Sequence, residues 1–512
     1  MSQDTATDFP IAIIGAGFAG IGAAIRLKQE GIESFTMFER ADEVGGTWRD
    51  NTYPGCACDV QSRVYSFSFE QNPNWTRRYS GWREIQEYLI GLVDKWSLDA
   101  HLRRGTEIVR AVFDEAAGTW TLTTREGATF TARVVISGVG GLVDPAYPDI
   151  EGMDQFEGEM FHTARWRHDV DLDGKRVAIV GTGASAVQVV PSIAPDVGQL
   201  SVFQRSAAWV IPKYDKPYSL TTRRFLSRFP RLLRLIRFVK YVLTELLGPI
   251  VFLDSKILSR IGRGLSMWNL RRQVQDPVLR EKLTPDFQFG CKRVLVSDDY
   301  WAAFERDNVD LVTEPIDRIV PEGIEAGGTL RPFDIIVLAT GYLLGLARTP
   351  FEIIGRRGRT LAEVWDDRPT AYKGMTVSGF PNWFMMMGPN TGPGHTSVLI
   401  YTEAQIDHAL QAIKRMRAEG IRFCDVRQEA QDEYNAGIQG RMKYMVWGSG
   451  CQSWYLSDDG RNYSLYPGFA AEYVWRARKL KAEDYELAYF EEARDNETGE
   501  PRSQAQHASP AP

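Results

Sequence analysis

Short apolar runs recur along the chain, and glycines follow the most telling of them. Ile11-Ala12-Ile13-Ile14 is one such run; Gly15-Ala16-Gly17-Phe18-Ala19-Gly20 follows at once, and 21–29 has helical spacing. An uninterrupted apolar run of this length reads as a parallel strand buried on both faces. Arg176-Val177-Ala178-Ile179-Val180 repeats the arrangement, with Gly181-Thr182-Gly183-Ala184-Ser185-Ala186 as the loop and a helix expected over 187–194, broken near Pro191. Val134-Val135-Ile136-Ser137 and Ile335-Ile336-Val337-Leu338 are further buried strands that run into glycine turns. Trp120-Thr121-Leu122-Thr123-Thr124 alternates, as a half-buried antiparallel strand does. Helices are expected over 85–96, over 397–416 and through most of 221–282. The pattern predicts an α/β protein with two Rossmann-like dinucleotide-binding units and a helical insert.

The loops carry a physical reason for nucleotide binding. Gly15 permits the tight turn, Gly17 lets backbone N–H groups approach a pyrophosphate, and Gly20 lets the helix pack close to the strand. The helix N-terminus then favours the anion. A second strand over 34–38 ends in Glu39, whose carboxylate can accept from both ribose hydroxyls and would repel a 2′-phosphate. FAD or NAD is therefore expected at the first unit. In the second, Ala186 replaces the third glycine, a substitution that close helix–strand packing tolerates. Its strand over 200–203 ends in Gln204-Arg205-Ser206. Arg205 can pair with a 2′-phosphate, with help from the Ser206 hydroxyl, which favours NADPH over NADH. Most arginines are merely solvated; the position at a strand end favours the phosphate reading.

Composition narrows the class. At 512 residues the chain is expected to hold two or three domains. Its net charge of −6 argues against a nucleic-acid partner. Five cysteines, an odd number, do not make a disulfide framework, so a cytoplasmic protein is expected. Cys56 and Cys58 have the wrong spacing for a redox dithiol and no second pair for zinc, so they read as small buried thiols, and no metal is expected. Residues 1–10 are polar and lack an apolar core, so no secretory signal is expected. No apolar run reaches the ~18 residues of a membrane span. Arg228, Arg231, Arg234, Arg237 and Lys240 recur every third residue among apolar neighbours. The preferred reading is a helical subdomain with one solvated basic face; the other is weak peripheral contact with an anionic membrane. The tail 491–512, rich in Glu, Ser, Gln and Pro, is expected to stay disordered.

Between the two glycine loops lies Phe156-Glu157-Gly158-Glu159-Met160-Phe161-His162-Thr163-Ala164-Arg165-Trp166-Arg167. Phe-x-Gly-x-x-x-His-x-x-x-Trp resembles the signature of type I Baeyer–Villiger monooxygenases, class B flavin-dependent oxidoreductases. Arg167 departs from that pattern, which has Pro or Asp there. The resemblance covers roughly residues 9 to 480. It implies that FAD, NADPH and O2 convert a ketone to an ester or lactone through a C4a-peroxyflavin. It also implies that the NADPH-binding domain (145–218 and 291–342) is nested within a discontinuous FAD-binding domain (1–144 and 343–490), with the insert at 219–290.

The same resemblance assigns roles. Thr47 and Trp48, in Gly45-Gly46-Thr47-Trp48, would line the flavin, and Asp59, in Tyr53-Pro54-Gly55-Cys56-Ala57-Cys58-Asp59, would lie near the isoalloxazine. In Cys291-Lys292-Arg293, Lys292 would contact the NADP phosphate and Arg293 would be the catalytic arginine, held by Asp59. A guanidinium suits that task because it stays protonated beside developing negative charge. Phe156, Gly158, His162 and Trp166 would couple the domains. Trp454 is a substrate-loop candidate, and His395 is either a general base or a structural histidine. Two other reactions remain open with the same cofactors: N- or S-oxygenation of amines or sulfides, and NADPH oxidase or reductase activity without oxygen insertion. A Tyr in place of Trp166 would point to the former.

Overall fold

The computed structural model describes residues 9–343, 351–450, 453, 455–457 and 459–490. Trp454 and the 491–512 tail lie outside the described residues.

Ten strands form two five-stranded parallel sheets. They are β1 (Ile11–Ile14), β2 (Phe35–Phe38), β3 (Leu102–Arg103), β4 (Val134–Ser137), β5 (Glu159–His162), β6 (Arg176–Val180), β7 (Gln199–Phe203), β8 (Val309–Val312), β9 (Ile335–Leu338) and β10 (Trp383–Met385). The first sheet runs β10-β4-β1-β2-β3 and the second β8-β7-β6-β9-β5. Every residue of β1, β4 and β9 is buried, which is why these strands read as unbroken apolar runs. In each sheet the strand before a glycine loop, β1 or β6, is central, and the chain order reverses beside it. That reversal opens the crevice in which such sheets bind ligands, at the carboxyl ends of the strands.

Helix α1 (Phe18–Gln29) follows β1, and α2 (Ala184–Ile193) follows β6. α2 is not broken near Pro191, contrary to expectation. Pro191 falls in its last turn, so the backbone bond it forgoes lies at the helix end, where little depends on it. The alternating segment Thr119–Thr124 forms an antiparallel sheet with Ile108–Asp114 and Thr129–Ala132, and Trp120 is fully buried there.

The two passages of the chain between the sheets lie side by side. Ala146 N donates to Gly341 O at 2.9 Å, and Leu343 N to Asp144 O at 2.9 Å. One buried apolar cluster runs from β1 and α1 through β6 and α2, so the two sheets share a core.

The insert is helical: α3 (Leu220–Arg228), α4 (Pro230–Phe252), α5 (Lys256–Gln273) and α6 (Pro277–Lys282). Its outer face carries solvated basic residues as expected, at Arg228, Arg231 and Arg234, but apolar residues lie among them. Leu235, Phe238, Leu243, Leu246 and Leu247 are exposed, while Glu245 is buried and Arg237 and Lys240 are half-buried. These three turn inward because the body of the protein supplies their partners. Lys240 Nζ donates to Gln61 Oε1, Arg237 lies 3.8 Å from Glu403, and Glu245 receives His395 and the Ala471 amide. Among the described residues, no helix is long and apolar enough to cross a membrane.

Candidate active site

The first glycine loop is built by close approach. A Cβ on Gly20 would lie 1.8 Å from Gly15 O, so only glycine lets α1 start this near β1. Glu39, at the end of β2, is buried. Its Oε2 accepts from Ala16 N at 2.8 Å and its Oε1 from Arg49 Nη1 at 2.9 Å. Gly17 faces Gly46 across the loop with no side chain between them; a Cβ on Gly17 would stand 3.8 Å from the Gly46 Cα. A backbone-lined cradle with a carboxylate at its edge suits the pyrophosphate and ribose of FAD. Thr47 and Trp48 open the short helix Thr47–Asp50 beyond Gly46, and Trp48 Nε1 donates to the Tyr65 hydroxyl at 3.0 Å.

The second loop is similar in form. Gly183 caps α2, and the space beyond its Cα is open. Thr182 Oγ1 donates to Ser206 O at 2.7 Å, tying the loop to the end of β7. Arg205 is exposed there. Lys292, from a distant segment, stands close enough for Arg205 to lower its pKa, after the larger effect of burial. Its Nζ also lies 4.6 Å from the Phe287 ring centre. Two cations brought together at the edge of a dinucleotide loop suit a 2′-phosphate.

The next residue turns to the other unit. Arg293 donates to one oxygen of Asp59, through Nε at 2.8 Å and Nη2 at 2.6 Å. The two side chains are 37% and 26% exposed, so the pair is open to water, which weakens its attraction. Asp59 holds the guanidinium above its ordinary pKa against the opposing effect of burial. Tyr455 also faces Arg293: burial pushes its phenol up to about 12, and Arg293 pulls it back. Cys56 and Cys58 are buried free thiols. Burial pushes Cys56 up to about 12 and Cys58 further, so neither supplies a thiolate. No cluster able to hold a metal occurs among the described residues.

A contact invisible in the sequence joins α2 to the segment before Asp59. Gln188 of α2 accepts from Ala57 N at 3.2 Å and from the Tyr53 hydroxyl at 3.1 Å, and donates to Ala57 O at 2.9 Å. Burial pushes the Tyr53 phenol well up, and the nearby Ser185 side chain pulls it back. Gly55 sits against the same helix, where a Cβ would lie 2.1 Å from Ser192 Oγ.

The signature segment lies under the paired passages. His162 ends β5 fully buried, and its Nδ1 accepts from Ala164 N at 3.0 Å. Its ring meets Tyr147 edge-on at 5.7 Å and Tyr342 at 6.1 Å, one residue from each passage. Burial lowers its pKa to about 4, so it is neutral. Gly158 lies just before β5, Phe156 packs on the core of the second sheet, and Trp166 packs edge-on against Phe161 at 5.1 Å. Arg167 points to solvent and pairs with Glu159 at 2.8 Å and Asp169 at 2.5 Å, remote from the Arg293 pair in its contacts. His395 is bonded to Glu245 at 2.8 Å and packed on Phe252.

Fold and site together define an oxidoreductase that brings two dinucleotides to one cleft. Residues 12–237 match a family model described as pyridine nucleotide-disulphide oxidoreductase. The chain is 43% identical over 501 residues to a Baeyer-Villiger monooxygenase of Pseudomonas aeruginosa, covering 96% of this chain and 95% of that one. It is 42% identical over 480 residues to one of Streptomyces coelicolor, covering 93% and 92%. A solved structure of an oxidized steroid monooxygenase bound to NADP matches with a TM-score of 0.84 at 30% identity, covering 94% of this chain and 99% of that one. The chain belongs to the Baeyer–Villiger monooxygenases.

Proposed function

We infer that the protein uses NADPH and O2, with FAD as its cofactor, to convert a ketone into an ester or lactone. One ketone, one O2, one NADPH and one proton give one ester, one NADP+ and one water. When bound, FAD supplies the two-electron chemistry, taking hydride from NADPH and passing electrons to O2. Family membership and the fit of both loops support this reading. The observation that carries it is the Arg293–Asp59 pair, a partly exposed guanidinium held by a carboxylate, next in the chain to Lys292.

We assign the chain's own contributions as follows. Glu39 and the Gly17–Gly46 cradle bind FAD; Arg205 and Lys292 bind the NADPH 2′-phosphate. Arg293 presents a cation that cannot give up its proton, so negative charge at the reacting oxygen and at the attacked carbonyl is stabilised and not quenched. Asp59 orients that guanidinium and is a positioning residue. His162, neutral and buried between the two passages, fixes how the units meet. We divide the chain into FAD-binding, NADPH-binding and insert domains, a division that the two separate sheets and the helical run between residues 219 and 290 support.

The direct test supplies the FAD-loaded protein with NADPH, O2 and a panel of linear, cyclic and aryl ketones and of sulfides, with products identified by mass. Esters or lactones support the reading. Sulfoxides alone would favour S-oxygenation, and hydrogen peroxide without oxygenated product would favour an oxidase.

A further inference from the structure

The helical insert wears its apolar residues on the outside. On α5, Ile257, Ile261, Leu265 and Trp268 follow the spacing of one helix face, and all are exposed, Ile257 at 73%. On α4 the exposed set includes Leu243, Leu246 at 69% and Leu247 at 59%. α4 and α5 pack on each other, so both stripes belong to one hairpin. Monomer surfaces scatter such residues singly; a contiguous run marks an interaction face.

Charge identifies the occupant. Residues 220–273 carry twelve Arg and Lys against two acids, Glu245 and Asp254, a local charge of +10 in a chain whose net charge is −6. Glu245 is buried and Arg237 and Lys240 turn inward, while Arg228, Arg231 and Arg234 stay exposed, so the outer surface is basic. At the corner of α3 and α4, Phe225 and Phe229 wall a hollow of about 590 Å³ that Arg228 and Arg231 also line. Aromatic walls beside guanidinium groups match an acyl chain under a phosphate headgroup. A second copy of this chain would set +10 against +10, which self-association does not tolerate. An anionic lipid surface complements both features, since apolar area and Lys/Arg contacts add in interfacial binding.

We propose that the α3–α5 surface docks this protein on an anionic phospholipid bilayer, with the helices lying in the interface and none crossing it. The inward polar face of α4 stays bonded to the body of the protein, so docking requires no unfolding. Val251 and Phe252, at the end of α4, pack on Gly290 and Cys291, just before Arg293. A docked molecule therefore holds the flank of the cleft at the lipid surface. The proposal concerns this surface alone and stands whatever the substrate.

The test is cosedimentation of the full FAD-loaded chain with vesicles of phosphatidylcholine containing about one-third phosphatidylglycerol, and with vesicles of phosphatidylcholine only. The protein is expected to pellet with the anionic vesicles, less so in high salt. The triple variants Leu243→Ser/Leu247→Ser/Ile261→Ser and Arg228→Gln/Arg231→Gln/Arg234→Gln should each lower partitioning by about tenfold or more. NADPH consumption with a water-soluble ketone should be unchanged in both. Absence of pelleting, or equal pelleting with neutral vesicles, would overturn the proposal. So would a concentration-dependent dimer that the apolar triple variant disperses.

Discussion

The side-chain amide of Gln188 grips both backbone polar groups of Ala57, accepting from its N at 3.2 Å and donating to its O at 2.9 Å. Gln188 belongs to the helix after the second glycine loop, and Ala57 to the segment that ends in Asp59. The contact therefore ties that helix to the segment that carries Asp59. Gln188→Leu removes both bonds and leaves the Ala57 groups without them, at a cost of about 1–3 kcal/mol. Urea unfolding should register that loss. Hydride transfer from NADPH should slow more than FAD affinity falls, as stopped-flow reduction of bound flavin will resolve. Unaltered reduction kinetics would mean that the grip has no part in positioning.

Arg205 and Lys292 converge from segments far apart in sequence. Removing either should lower the preference for NADPH over NADH by about tenfold or more, the worth of a charge-assisted hydrogen bond to phosphate. In Arg205→Ala the Lys292 pKa should also rise, because the neighbouring cation that lowers it is gone. The ratio of kcat/KM for the two nucleotides measures the first effect. An unchanged ratio in both variants would remove these residues from the phosphate site.

His162 gives the fold a defined acid response. Its folded pKa, about 4, lies below the ordinary 6.5, because burial excludes the charged form. Between those values the unfolded chain binds a proton that the folded chain refuses. Stability from this group is thus complete above about pH 6.5 and is lost as pH falls, by up to about 3 kcal/mol at pH 4. His408, lowered to about 3 by burial, acts in the same direction. Urea midpoints measured from neutral pH down should fall through this window, and His162→Asn should flatten part of the slope. A midpoint independent of pH here would contradict a buried neutral His162.

Arg167 is the one departure from the family signature, and its contacts lie with surface carboxylates. Arg167→Ala should leave the product and kcat within about twofold of the parent. A change from ester to sulfoxide chemistry in this variant would show that the position governs the reaction.

The fold class was legible because parallel strands buried on both faces are mostly apolar, with few polar residues to interrupt them. The glycine loops were legible because phosphate binding needs glycines at fixed spacing. Contacts between distant segments left no such trace. Gln188, Arg49 and Tyr455 look ordinary in the sequence; each gains meaning from partners that only the fold supplies. Tyr455 follows directly on Trp454, the aromatic residue that the sequence did mark, yet nothing local distinguishes it. The insert shows the same limit in reverse. Arg231 and Arg234 of α4 are exposed, but that Arg237, Lys240 and Glu245 turn inward depends on Gln61, Glu403 and His395, all remote in sequence. For the same reason Pro191 misleads, since its effect depends on where the helix ends.

The most direct measurement compares the parent enzyme with Arg293→Ala and Arg293→Lys, following flavin reduction by NADPH, O2 consumption, hydrogen peroxide and ester in the same samples. The account predicts that Arg293→Ala still reduces flavin and consumes O2, that ester formation falls by about 100-fold or more, and that peroxide appears in its place. Arg293→Lys should recover little, because a lysine cannot reproduce the paired Nε and Nη2 bonds to Asp59. Ester formed by Arg293→Ala at the parent rate would contradict the claim that this guanidinium carries the oxygen-transfer step.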